Sequence, residues 1–97
     1  MTLLKNSFEV VDILPVDTNS CRVIGRAYDD IRVGDVLFME DTTPDHEMEE
    51  RQFEVTAIYF HSVWVTEINR GDTAHLTLAG EVIEKLKYGT VLGKPTL

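Results

Sequence analysis

Short apolar runs recur along the chain, most of them alternating with polar residues and bounded by turn formers. This is the pattern of half-buried strands rather than of helices. Residues 7–16 (SFEVVDILPV) read as a first strand, ended by Pro15 and the polar run from Asp17 to Ser20. Residues 21–28 (CRVIGRAY) read as a second, with Cys21, Val23, Gly25 and Ala27 on one face and Arg22, Ile24, Arg26 and Tyr28 on the other. The first set is small and suits the inside of a tightly curved sheet, and Gly25 within a strand signals a bend or a close backbone approach. Residues 29–35 turn the chain at Gly34, and 35–40 form a third strand.

The stretch 40–50 (EDTTPDHEMEE) reads as an acidic loop around Pro44. A fourth strand follows over 52–60, with Phe53, Val55, Ala57 and Tyr59 opposite Glu54, Thr56, Ile58 and Phe60. A fifth covers 62–68 and is close enough to pair with it as a hairpin. After the turn Asn69-Arg70-Gly71-Asp72, a sixth strand covers 73–80, with Ala74, Leu76 and Leu78 on one face. Residues 81–87 (EVIEKLK) are the one short helical candidate, and 88–95 close the chain as a small strand or extended tail. No internal repeat or dividing linker is visible, so the expectation is a single all-β domain over 1–97, a closed barrel or a sandwich.

Composition narrows the functional classes. Seventeen acids against nine bases give a net charge of −8. That charge repels polyanions at long range, although a local patch can defeat it. Six of the acids, Glu40, Asp41, Asp45, Glu47, Glu49 and Glu50, lie in the acidic stretch without a base among them, which makes it a candidate interaction loop. His46 sits there too, but the calcium-loop spacing with its obligatory glycine is absent. His61 and His75 lack a sequence-near partner at metal spacing, so no metal or other cofactor is expected. Cys21 is the sole cysteine, which excludes an intramolecular disulfide. No nucleophile elbow or other catalytic grouping appears, and the chain does not read as an enzyme. No apolar run is long enough for a membrane helix and the N-terminus does not read as a signal peptide, so a cytoplasmic protein is expected.

The order of several short motifs is more specific than any one of them. Gly25-Arg26-Ala27 is followed by Ile31-Arg32-Val33-Gly34-Asp35-Val36-Leu37. Later come Gly71-Asp72-Thr73-Ala74, Leu76-Thr77-Leu78-Ala79-Gly80, the acidic-basic stretch Glu81 to Lys87, and Tyr88-Gly89-Thr90-Val91-Leu92-Gly93-Lys94-Pro95. In this order and spacing they resemble the second domain of the elongation factor Tu family of translational GTPases, over about residues 7–96. The resemblance implies a six-stranded closed Greek-key barrel with one short helical turn near the C-terminus. It also places Arg70-Gly71-Asp72 at the entry to a barrel strand. Gly71 would supply backbone freedom there and Asp72 would bond to the turn's own amides. An adhesion role for this tripeptide would need an extracellular context.

The chain has no phosphate-cradling GxxxxGK[ST] loop and no guanine-reading motif, so GTP binding by this chain is not expected. In the family, this barrel helps hold the aminoacylated end of tRNA, through an acidic residue and an arginine before the Gly-Asp element. An ungapped alignment from Gly80 puts those positions on Tyr59 and Ser62, so neither polar role is kept. Tyr59 is then either a core side chain or one that stacks on a base. Trp64 is either an exposed anchor or a side chain covered by 81–87 or the tail.

The resulting expectation is a non-catalytic binding module. Tyr59, Phe60, His61 and Trp64, with the acidic stretch, are the candidate contacts for a protein partner or a second copy. Contact with the aminoacyl end of tRNA is the alternative, which the net charge disfavours.

Overall fold

The computed structural model describes residues 4–17, 19–42, 48–80, 86 and 88–95. Its strands are β1 (Leu4–Asp17), β2 (Ser20–Ala27), β3 (Ile31–Arg32), β4 (Val36–Thr42), β5 (Met48–Phe60), β6 (Val63–Val65), β7 (Glu67–Ile68), β8 (Thr73–Ala79) and β9 (Val91–Pro95). Six of them form the barrel wall in the order β1-β2-β8-β5-β4-β9, every pair antiparallel, and β9 pairs back onto β1 to close the ring. The steps from β2 to β4 and from β8 to β9 each cross an end of the barrel, which makes the connection a Greek key. The all-β, six-stranded closed barrel expected from the sequence is the fold of this chain.

Alternation fills the interior. Cys21, Val23 and Ala27 of β2 and Ala74, Leu76 and Leu78 of β8 are buried, facing Phe8, Val10, Leu37, Phe53, Val55 and Leu92 from the other walls. Each large side chain among them contributes about 1.5–3 kcal/mol relative to exposure. Gly25 lies where β1 and β2 press closest: a Cβ there would sit 2.0 Å from the Glu9 carbonyl oxygen and 2.6 Å from the Phe8 ring. The small inner face read from the sequence is therefore required by the neighbouring strand.

One end of the barrel is built from two copies of one device. Ile31-Arg32-Val33-Gly34-Asp35 and Ile68-Asn69-Arg70-Gly71-Asp72 both run from a two-residue strand through a turn into a barrel strand. In each, the aspartate Oδ2 accepts the amide three residues back: Arg32 N at 2.9 Å for Asp35, Asn69 N at 2.8 Å for Asp72. In each, the aspartate amide donates to that same residue's carbonyl at 3.0 Å, and the glycine takes a positive φ, 98° at Gly34 and 93° at Gly71. Each turn is also clamped to a strand. Gly34 N donates to Val55 O at 2.7 Å and Val55 N to Asp35 O at 2.8 Å, while Gly71 N donates to Ala27 O and Ala27 N to Asp72 O, both at 2.8 Å. The short strands β3 and β7 pair with each other, setting Ile31 opposite Ile68, both buried. So Arg70-Gly71-Asp72 is a strand-entry turn, and the chain does hold a short internal repeat that the sequence reading passed over.

Other expectations need correcting. The fifth strand, 62–68, is two strands, with Thr66 leaving the ladder so that β6 pairs with β5 and β7 with β3. Of the two readings for 88–95, the small strand holds: it is β9, which pairs with β1 and closes the barrel. The acidic stretch is mostly strand rather than loop, because β4 runs to Thr42 and β5 begins at Met48, with Glu40 opposite Glu50 and Asp41 opposite Glu49 in register. Residues 43–47, with Asp45, His46 and Glu47, lie outside the described residues. So does the helical candidate 81–87, apart from Leu86, which is buried in the core. Finally, β5 carries a bulge at Thr56: Val55 pairs with Leu78 but Ala57 with Thr77. The bulge inverts the inside–outside order beyond it, so Ile58 enters the core and Tyr59 turns outward.

Two outcomes follow. Replacing Gly25→Ala should lower unfolding stability by about 3 kcal/mol, whereas Gly34→Ala, with nothing within 4 Å of the new Cβ, should cost about 1–2 kcal/mol for its positive φ alone; urea titration of both variants gives the comparison. Burial also pushes the Cys21 thiol up to about 11. A raised value favours the neutral thiol in the fold, so this contribution to stability is complete below the free-thiol pKa of about 8.5 and fades as pH rises through about 11. At pH 8, Cys21 in the native chain should react with a disulfide reagent at least ~100-fold more slowly than in the unfolded chain; a native rate within tenfold of the unfolded one would contradict the buried placement.

Candidate functional site

The register of four neighbouring strands assembles a row of side chains on the outer wall. Ile24 of β2 pairs with His75 of β8, His75 with Tyr59 of β5, and Tyr59 with Trp64 of β6. Strands lie about 4.8 Å apart, so the row runs about 14 Å across the barrel. Its rings pack edge to face, with Tyr59 and Trp64 centroids 5.0 Å apart and Tyr59 and His75 5.7 Å apart. Such pairs add to the area they bury. At the end of the row Trp64 is 60% exposed, with Val63 beside it 54% exposed.

Arg22, one row along on β2, reaches over the platform. Its guanidinium carbon lies 5.5 Å from the Trp64 ring centre and 5.9 Å from that of Tyr59, a cation–π arrangement. It has no ion pair among the described residues. The row on that side is Arg22, Thr77 and Ala57, and the row on the other is Arg26 and Thr73. The first holds no carboxylate; in the second, Glu9 of β1 pairs with Arg26, and Asp12 of β1 pairs with Ile24 at the far end of the platform row. The chain is strongly acidic, yet the Arg22 side of the platform presents a cation beside aromatic rings. One further group points to an incomplete set of contacts: Nδ1 of His75 is buried without a hydrogen-bond partner among the described residues, a condition that buried polar atoms seldom tolerate.

The hairpin that carries Trp64 turns through His61 and Ser62, with φ of 52° and 65°. Two-residue hairpin turns of this hand normally use Asn-Gly or a similar pair. Two non-glycine residues in the left-handed region hold strain at the edge of the platform. His61 is exposed and its ring packs on Phe60 at 4.0 Å.

The residues singled out from the sequence therefore divide. Tyr59 and Trp64 come together on the platform. Phe60 packs against the core from the opposite face, and His61 occupies the turn. Arg22, Ile24 and His75 belong to the platform but were not singled out for it, because only strand register brings them beside Tyr59. The acidic positions Glu40, Asp41, Glu49 and Glu50 stand elsewhere, on the hairpin of β4 and β5. β9 meets β4 only at Phe38, and β8 meets β5 only from Glu54 onward, so the two strands beyond those points pair with each other alone.

A shallow groove of about 560 Å³ runs along the start of β1, lined by Lys5, Glu9, Tyr28 and Arg70 among others. The Tyr28 hydroxyl donates to Glu9 at 2.9 Å, and this bond to a carboxylate raises the Tyr28 pKa above its ordinary value. Among the described residues no group of three or more histidines, cysteines and carboxylates is placed to hold a metal ion. No helix among them is long and apolar enough to cross a membrane.

No protein-family model matches the chain, and no curated protein matches it significantly in sequence. The likeness lies in structure. The translation elongation factor SelB from Methanococcus maripaludis, solved in its apo form, superposes with a TM-score of 0.73 at 18% sequence identity over 97% of this chain. The chain spans 20% of that protein's length. At this level of identity the match establishes the fold, which is a β-barrel of the kind found in translation elongation factors.

Proposed function

We propose that the chain is a non-catalytic binding module, working with the translation machinery, that docks a protein partner on the Tyr59–Trp64 platform. The observation that carries this reading is Trp64, 60% exposed at the end of an aromatic row, with Arg22 beside it forming no ion pair among the described residues. Tryptophan, tyrosine and arginine are the residue types that dominate binding energy at protein interfaces. A platform built on strands holds them in place, so little side-chain freedom is lost on docking. The association with translation rests on likeness of fold to an elongation factor.

A second reading is favoured by the charge of one row flanking the platform. Arg22, with no carboxylate in its row, suits the phosphates and bases of an unpaired RNA end, which would stack on Tyr59 and Trp64. Against it stand the net charge of −8 and the absence of an acidic residue and an arginine at positions 59 and 62.

Trp64 is the only tryptophan, so its fluorescence reports this face alone. Titration with a partner protein isolated on the wild-type chain should shift that emission. Trp64→Ala should weaken the complex by at least ~30-fold, about 2 kcal/mol, with the circular dichroism spectrum unchanged. Undiminished affinity in the folded variant removes the platform from the interface. The RNA reading predicts instead an emission change with short single-stranded oligonucleotides that weakens steeply as salt rises; no change at low ionic strength excludes it.

A further inference from the structure

Past Val10, the side of β1 that faces away from β2 has no strand partner among the described residues. β9 pairs with β1 from Leu4 to Glu9, and the last backbone bonds on that side join Val10 to Gly89 and Thr90. Beside the open edge, Val11, Leu14 and Val16 are 51%, 43% and 60% exposed. An unpaired strand edge with branched apolar side chains along it is ordinarily a template for another strand. Every copy of the chain presents the same edge, and two such edges can pair antiparallel about a two-fold axis.

The donors that such pairing needs are missing. Along an antiparallel strand alternate amides point to opposite sides. The residues whose amides face outward here are Ile13 and Pro15, which pair in register with Val23 and Cys21. The Ile13 amide donates at 2.8 Å to Oδ1 of its neighbour Asp12, not to β2. Pro15 has no N–H at all. Bulges between Val10 and Asp12 and between Pro15 and Asp17 bound the stretch at both ends, and a bulge twists a strand away from the flat geometry that pairing requires. An aspartate that consumes one donor, a proline that removes the next and a bulge at either end all act on the same edge.

We infer that Asp12 and Pro15 are a guard that keeps the open edge of β1 from pairing with β1 of a second copy of this chain. The guard acts through hydrogen bonding, and it leaves Val11, Leu14 and Val16 exposed without making them a dimer contact.

The test is the double variant Asp12→Ala with Pro15→Thr, which restores both donors in a β-favouring sequence. After circular dichroism confirms the fold, sedimentation should show its mass rising to at least about twice that of the monomer with concentration, while the wild-type chain stays monomeric. Asp12→Asn keeps an acceptor without its charge and should stay monomeric too. Amide exchange supplies a readout that does not depend on association: the Ile13 amide should exchange at least ~10-fold faster in Asp12→Ala than in the wild type and near the wild-type rate in Asp12→Asn. A folded double variant that stays monomeric at every concentration overturns the proposal. So does a wild-type chain that pairs through this edge, or an Ile13 amide indifferent to Asp12→Ala.

Discussion

The barrel depends on the pair of clamped turns at Gly34-Asp35 and Gly71-Asp72. A Greek-key barrel must carry its chain across an open end, where backbone groups lose their ladder partners and would be left unsatisfied. Each turn meets that requirement in the same way. The aspartate carboxylate takes one amide, the turn closes on itself, and a strand residue, Val55 or Ala27, exchanges two bonds with the turn. The arrangement is reciprocal, since the first turn leads into β4 and is held by β5, while the second leads into β8 and is held by the end of β2. With β3 and β7 joined between them, the two turns fasten that end as one unit. Surface ion pairs such as Arg32 with Glu67 at 2.7 Å add little to this.

On the outer wall the same strand pairing has a different result. Ile24, His75, Tyr59 and Trp64 come from four different strands, and they meet because the register of three strand pairs agrees. The local charge is set by the same register. The rows beside the aromatic residues contribute Arg22, Arg26 and threonines with Glu9 opposite Arg26, whereas Glu40, Asp41, Glu49 and Glu50 lie on the stretch where β4 and β5 run past their described barrel neighbours. Net charge therefore describes this protein's long-range field but not the surface its platform would offer a partner.

Much of the fold was legible in the sequence. The alternation of Cys21, Val23, Gly25 and Ala27, and that of Ala74, Leu76 and Leu78, marks inward faces directly, and each Gly-Asp pair marks a strand entry. Where the reading failed, the missing information was not local. A continuous alternation from Phe53 gives Tyr59 the wrong face, because the extra residue at Thr56 leaves no mark in composition. The acidic run resembled a loop because its charges are unusual in a strand, yet pairing between β4 and β5 outweighs weak intrinsic preference. Arg22 and His75 had no motif to single them out, since their relation to Tyr59 exists only across strands. The repeat of Ile-x-x-Gly-Asp was present in the letters at 31–35 and 68–72, but one isoleucine and one glycine–aspartate pair shared by each copy are too little to mark a repeat without the shared geometry.

The bulge at Thr56 works as a change of reading frame within one strand. Just before it, Phe53 and Val55 face the interior; after it, the even-numbered Ile58 does. The Thr56 hydroxyl, donating to the Thr77 carbonyl at 3.2 Å, holds the extra residue in place. Loss of a single residue here would leave the barrel's strand count intact but exchange the two faces of the strand's end. The phenol of Tyr59 would then turn toward the interior and Ile58 toward solvent, dissolving the aromatic row without any substitution within it. Divergence of this surface is therefore free to proceed by replacing side chains, while changes of length in the middle of β5 are closed to it.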